Sequence, residues 1–176
     1  MVPVRDDSLR ALLAAAAEGD NRAVAALVRA TQPSVWRVCR ALGSGDDVED
    51  LVQEVYLRAL RSAPGYRGDS PVLPWLLTIA RRVCADEVRR RQRHRRVLER
   101  LRIVAEEPST VIGESIDEFL AALDPDRREA FVFTQLVGLT YEETAAALGC
   151  PVGTVRSRVA RARADLLALL RASEAV

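Results

Sequence analysis

Arg156, Ser157 and Arg161 are the residues of this chain best suited to chemistry with a partner, and that chemistry is hydrogen bonding rather than bond making. At 100° per residue, Val155, Val159, Ala162, Leu166 and Leu169 share one helical face. Arg156, Ser157, Ala160 and Arg161 then turn outward. Two guanidinium forks and a hydroxyl, beside small residues that permit close approach, suit base edges in a major groove. Arg158 and Arg163 fall on the flanks, where phosphate contact is the simpler expectation. An amphipathic hairpin with a solvated arginine face would carry the same residues. The preceding turn argues for DNA. Thr140-Tyr-Glu-Glu reads as a capping box, alanines follow at close-packing positions, Gly149 allows a sharp turn, and a second helix begins near Pro151.

Two further stripes carry polar groups in helical register. Along Val48–Leu60, Val48, Val52, Val55 and Ala59 form the buried side, and Asp50, Gln53, Glu54, Arg61 and an apolar Leu57 lie opposite. From spacing alone this is either a solvated face or a docking face for a basic protein, with Leu57 as anchor. After Trp75, Leu76, Ile79, Ala80, Val83 and Cys84 form a buried side. Thr78, Arg81, Arg82, Ala85, Asp86 and Arg89 form a contrasting stripe suited to phosphates and bases. No nucleophile–base pair, metal constellation or phosphate-cradling glycine loop is present. Cys39, Cys84 and Cys150 are scattered and read as structural thiols of a reducing cytoplasm, and His94 reads as a solvated side chain.

The elements that must position these stripes are helices throughout. Leu9–Glu18 and Asn21–Leu42 read as helices, the second interrupted or bent at Pro33. Asp46 or Asp47 can cap a helix running to about Ser62. Pro64 to Pro71 is a loop, and Pro74 suits the first turn of a long helix ending near Arg96. Periodicity is lost from about His94 to Gly113. Four more segments follow: Glu114–Leu123, Pro125–Val137, Tyr141–Leu148 and Val152 to about Arg171. The expected architecture is all-α, with two small helical domains at 8–96 and 114–172 joined by a flexible linker at 97–113.

Net charge is only +1, but the average hides segregation. Ten arginines stand between Arg81 and Arg102 against Asp86, Glu87 and Glu99, and acids crowd Asp46–Glu54 and Glu106–Glu129. Such asymmetry suggests one face for a polyanion and another for a different partner. Every basic residue other than His94 is Arg, for which a GC-rich genome is the plainer explanation. Leu9–Ala17 is apolar but too short to be a signal peptide or a membrane span.

Leu139-Thr-Tyr-Glu-Glu-Thr-Ala, continued by Cys150-Pro-Val-Gly-Thr-Val-Arg-Ser-Arg, resembles region 4 of extracytoplasmic-function sigma factors, group 4 of the bacterial primary-sigma family. The resemblance implies −35 contacts from Thr154, Arg156, Ser157, Arg158, Ala160 and Arg161, the position of Ala160 being often larger in relatives. Glu49-Asp-Leu-Val-Gln-Glu-Val-Tyr-Leu-Arg-Ala resembles region 2.2. That implies docking on the clamp helices of the largest subunit of core RNA polymerase through Asp50, Gln53, Glu54 and Leu57, with other core subunits also touched. Tyr66-Arg-Gly-Asp, with the helix from Trp75, resembles regions 2.3 and 2.4. There Tyr66, Arg67, Gly68, Asp69 and Ser70 would hold a flipped base of a melted −10 element, with Arg81, Arg82, Asp86 and Arg89 beside them. Relatives often carry Asn at the position of Arg82 and Thr at that of Pro74.

The resemblance spans about residues 8 to 171, with no block for an intermediate sigma domain and no acidic N-terminal extension. It implies a cytoplasmic, non-enzymatic protein without cofactor or membrane insertion. Its expected partners are core polymerase, promoter DNA and an anti-sigma factor. An operator-binding helix-turn-helix regulator would explain Thr140–Arg163 but leave the Leu57 stripe without purpose. A protein-binding adaptor would leave the basic stripes as solubility features.

Overall fold

The computed structural model describes residues 6–43, 47–100 and 116–174, with backbone alone for 97–100 and 174. Helix α1 (Asp6–Ala17) turns through Gly19 into α2 (Asn21–Leu42). The Asp20 carboxylate starts α2 by accepting from the backbone N–H groups of Arg22 and Ala23. Helix α2 runs through Pro33 as one element, where an interruption or bend was expected. Pro33 and Arg29 both lie on the exposed side, so the Arg29 carbonyl that loses its N–H partner can be hydrated instead.

Helix α3 (Val48–Ser62) passes through a 3₁₀ turn at Ala63–Gly65 into the 66–71 loop, and α4 (Val72–Arg100) follows. Asp47 stands at the start of α3 but makes no capping bond. Its carboxylate accepts from Arg91 of α4 at 2.9 Å. Helix α4 extends four residues into the stretch read as linker, and 101–113 lies outside the described residues. Upstream of it, Arg90 and Arg91 bind Glu87 one turn back on the same helix.

The C-terminal elements are α5 (Ile116–Ala122), α6 (Pro125–Phe131), a π-helical segment (Val132–Val137), α7 (Tyr141–Leu148) and α8 (Val152–Glu174). Asp124 caps α6 through the N–H groups of Asp126 and Arg127. Thr140 and Glu143 form a reciprocal capping box on α7, worth about 1 kcal/mol to the helix start. Gly149 ends α7 at φ +65°, a left-handed conformation that a Cβ would strain.

Three apolar clusters hold these elements together. Leu9 and Leu13 of α1 pack with Leu27, Ala63 and Val72. Ala130, Ala145, Val155 and Val159 form the core of the helix-turn-helix. The largest cluster joins both halves of the chain. Val35 and Val38 of α2 and Leu76, Leu77 and Ala80 of α4 share it with Leu120, Phe133, Leu139 and Ala147. The π-helical segment lies on α2, and α7 lies on α4. The interface is thus built from residues that in sequence look like each unit's private core.

Candidate nucleic-acid and partner interfaces

The α3 stripe is a surface with a groove beside it. Asp50 and Gln53 are exposed, and Leu57 is 49% exposed although it flanks a packed face. Val28, Gln32, Val52, Tyr56, Leu57 and Leu60 line an apolar groove between α2 and α3. Its floor is Tyr56, whose hydroxyl lies 2.9 Å from the Thr31 hydroxyl. Burial, the largest influence, pushes the Tyr56 phenol up to about 12, so it stays protonated at neutral pH. Sequence reading missed Tyr56 and Thr31. A Tyr in helical register with Val52 was the available signal.

Glu54 is half-buried and accepts from Arg58 Nε at 2.6 Å. The same guanidinium donates to Asp86 on α4 at 2.9 Å. Arg58 therefore ties the expected docking stripe to the expected −10 stripe, and it was not anticipated from sequence. The Asp86 carboxyl is held below its usual range, first by Arg58 and then by Arg89, whose Nη2 donates at 2.6 Å. Asp86 thus serves here as an acceptor that orients two arginines.

Along the rest of α4, Arg82 and Arg89 are exposed, as the periodicity requires. Arg81 is partnered within the chain: its Nε lies 2.8 Å from the carboxylate of Glu129 on α6, off the line of the N–H bond. The contact is therefore coulombic, and it points Arg81 at the C-terminal unit. Cys39 and Cys84 are buried on α2 and α4, and contact with Cys39, followed by burial, pushes the Cys84 thiol upward. Such a thiol is a poor nucleophile.

In the loop before α4, Arg67 and Asp69 are exposed and Gly68 takes φ +79°. Tyr66 bends back, its hydroxyl donating to the Ser70 carbonyl at 2.5 Å and its ring tilted against Trp75 at 5.1 Å between centroids. Trp75 thus packs against Tyr66 and against the apolar clusters of the α1–α4 bundle. Arg10 of α1 also reaches this loop.

On α8, Val155, Val159 and Ala162 are buried, while Arg156, Ser157, Ala160 and Arg161 are exposed and Thr154 is intermediate. The Arg156 guanidinium sits 5.9 Å from the Tyr141 ring centroid, which braces it from α7. Ser157 donates to the Thr154 carbonyl at 2.9 Å. Arg158 is partnered within the chain. Its guanidinium pairs with Asp126 and reaches Cys150 Sγ at 3.7 Å, because α6 supplies a carboxylate where the sequence showed only a flank. Arg163 likewise donates to Gln135 at 2.6 Å. Among the described residues no helix is long and apolar enough to cross a membrane, and no group of three His, Cys, Asp or Glu side chains could hold a metal ion.

Two family models match this chain, Sigma-70 region 2 over residues 27–94 and Sigma-70, region 4 over residues 113–166. It is 41% identical over 173 residues to the ECF RNA polymerase sigma factor SigC of Mycobacterium tuberculosis, covering 93% of this chain and 91% of that relative. The solved structure of CnrH in complex with the cytosolic domain of CnrY matches with a TM-score of 0.74 at 34% identity, over 94% of this chain and 99% of that one. The sigma factor RpoE in complex with the anti-sigma factor NepR from Bartonella quintana matches at 0.67 and 32%, over 82% and 94%.

Proposed function

This chain belongs to the sigma-70 family as an extracytoplasmic-function sigma factor, a promoter-specific initiation factor, and from that premise we propose how its surfaces divide the work. Asp50, Gln53, Glu54 and Leu57 dock on the clamp helices of core RNA polymerase, with the groove over Tyr56 receiving an apolar partner side chain. The loop Tyr66–Ser70 and the exposed Arg82 and Arg89 take the melted −10 strand. Arg156, Ser157 and Arg161 read the −35 duplex. Polymerase performs the chemistry, and the chain contributes specificity in the cytoplasm. The observation that carries this reading is the pairing, on one chain, of a half-exposed Leu57 among Asp50 and Gln53 with two outward arginines on α8. Run-off transcription with purified core enzyme on a genomic promoter library tests it. Initiation at sites sharing two elements is the expected result, and no initiation at any site would refute it.

We take 8–96 and 114–172 as the working units and 97–113 as the tether. Elements named −35 and −10 lie about 25 base pairs apart, roughly 85 Å along the duplex. Helices α7 and α4 are in contact here, so simultaneous occupancy of both elements requires the units to part. The Arg81–Glu129 ion pair opposes that separation and occupies an arginine of the −10 stripe. Glu129→Gln is expected to raise the free chain's affinity for single-stranded DNA by about two- to fivefold, the range of a partly exposed ion pair. Fluorescence anisotropy with a labelled oligonucleotide measures it, and unchanged affinity would remove the ion pair from the argument. The two solved relatives are each held by a second protein, and we extend that to an anti-sigma partner for this chain.

A further inference from the structure

The 66–70 loop is held from outside the matched region 2 model, which begins at residue 27. Arg10 of α1 donates from Nη1 and Nη2 to the Gly68 carbonyl and from Nη2 to the Ser70 carbonyl, each at 3.2 Å. Its guanidinium also lies 5.7 Å from the Tyr66 ring centroid. Asp6, one turn earlier, fixes that guanidinium by accepting from Arg10 Nε at 2.5 Å. The second oxygen of Asp6 accepts from the Val72 backbone N–H at 2.7 Å, capping α4 at the point where the loop ends. Leu9 and Leu13, on the same helix, are buried against Ala63 and Val72 on either side of the loop. Gly68 passes so close that a Cβ there would meet Arg10 Nη1 at 2.5 Å.

One side chain thus fastens two carbonyls and an aromatic ring of a segment whose Arg67 and Asp69 remain exposed. Extruding a base from a duplex is unfavourable and must be offset by the pocket that receives it. A loop that had to be ordered in the same step would bind more weakly and discriminate less. Lysine could not replace this fork, because one ammonium on a flexible stem does not span both carbonyls and the ring in a fixed plane. We propose that Arg10, set by Asp6, is a positioning residue that presets the Tyr66–Ser70 loop for an unpaired promoter base, making α1 a determinant of −10 specificity. This rests on the assignment of that loop to the −10 element.

Holoenzymes assembled from purified core polymerase and the full-length chain test it. A randomised single-stranded DNA pool is first selected on the wild type, and equilibrium binding is then measured for the preferred oligonucleotide and its single-base variants. Arg10→Ala is expected to lower the preference for the best base about fivefold, the scale of re-ordering one segment, with core affinity unchanged. Arg10→Lys should be intermediate. Gly68→Ala, which displaces the guanidinium and also strains a positive-φ position, should lose at least as much as Arg10→Ala. The double variant Arg67→Ala/Asp69→Ala probes the loop itself. Lost discrimination in that variant but full discrimination in Arg10→Ala and Gly68→Ala would overturn the brace and leave the loop's assignment standing. Full discrimination in every variant would overturn the assignment and the brace together. An equal affinity loss for every oligonucleotide in Arg10→Ala, with a lowered melting temperature, would reduce Arg10 to a structural staple and also overturn the proposal.

Discussion

Leu57→Arg is expected to weaken binding of the chain to core RNA polymerase by at least about 30-fold, some 2 kcal/mol, the scale of a central anchor residue. Leu57 is half exposed beside the groove of Val28, Val52, Tyr56 and Leu60. Substitution there leaves the helical core untouched, and the free chain should keep its melting temperature. The new guanidinium would have to be desolvated over an apolar groove, facing a partner whose basic character the neighbouring exposed Asp50 implies. Gln53→Ala, at the groove's edge, should act in the same direction and less strongly. Equilibrium titration of labelled chain with purified core enzyme gives the dissociation constant directly. An unchanged value for Leu57→Arg would remove α3 from the docking surface.

Arg156→Ala should reduce discrimination among −35 sequences by about 1–3 kcal/mol, roughly 5- to 150-fold between the cognate base pair and its substitutions, the range of a bidentate base contact. The loss should be confined to one or two base pairs, since Arg156 is a single fork braced against Tyr141 near the start of α8. Arg158→Ala provides the contrast. Its guanidinium is committed to Asp126 and Cys150, so sequence preference should survive while stability changes slightly. Competition binding of holoenzyme against single-substitution duplexes measures both. If Arg156→Ala lowered affinity equally for every duplex, the residue would be a phosphate contact and the reading helix would need a different register.

The contrast between Arg156 and Arg158 shows where reading from sequence stops. Helical periodicity told inward from outward on α3, α4 and α8, because a 3.6-residue repeat decides the face each side chain takes before any tertiary contact forms. That sufficed for Val155, Val159 and Ala162 against Arg156, Ser157 and Arg161, and for the capping box at Thr140 and Glu143. Those features are local, so composition and spacing carry them. Periodicity cannot say which outward residue meets another part of the same chain. Arg158 turned to Asp126 across 32 residues, Arg81 met Glu129, and Arg58 joined Glu54 to Asp86.

Pro33 illustrates the same limit in the opposite direction. A proline predicts a break from local sterics alone, yet the packing of Val35, Val38 and Cys39 on its far side carries α2 through it. Near-neighbour backbone and side-chain physics was enough to place most of the helices, their polar and apolar faces and the turn between α7 and α8. Long-range packing settled which of the exposed charges already have a partner within the chain. It also made Phe133 and Leu120 a seam between the two halves, and it set Arg10 against Gly68 and Ser70. Those outcomes depend on contacts between residues far apart in the chain, and such contacts exist only once the helices have packed.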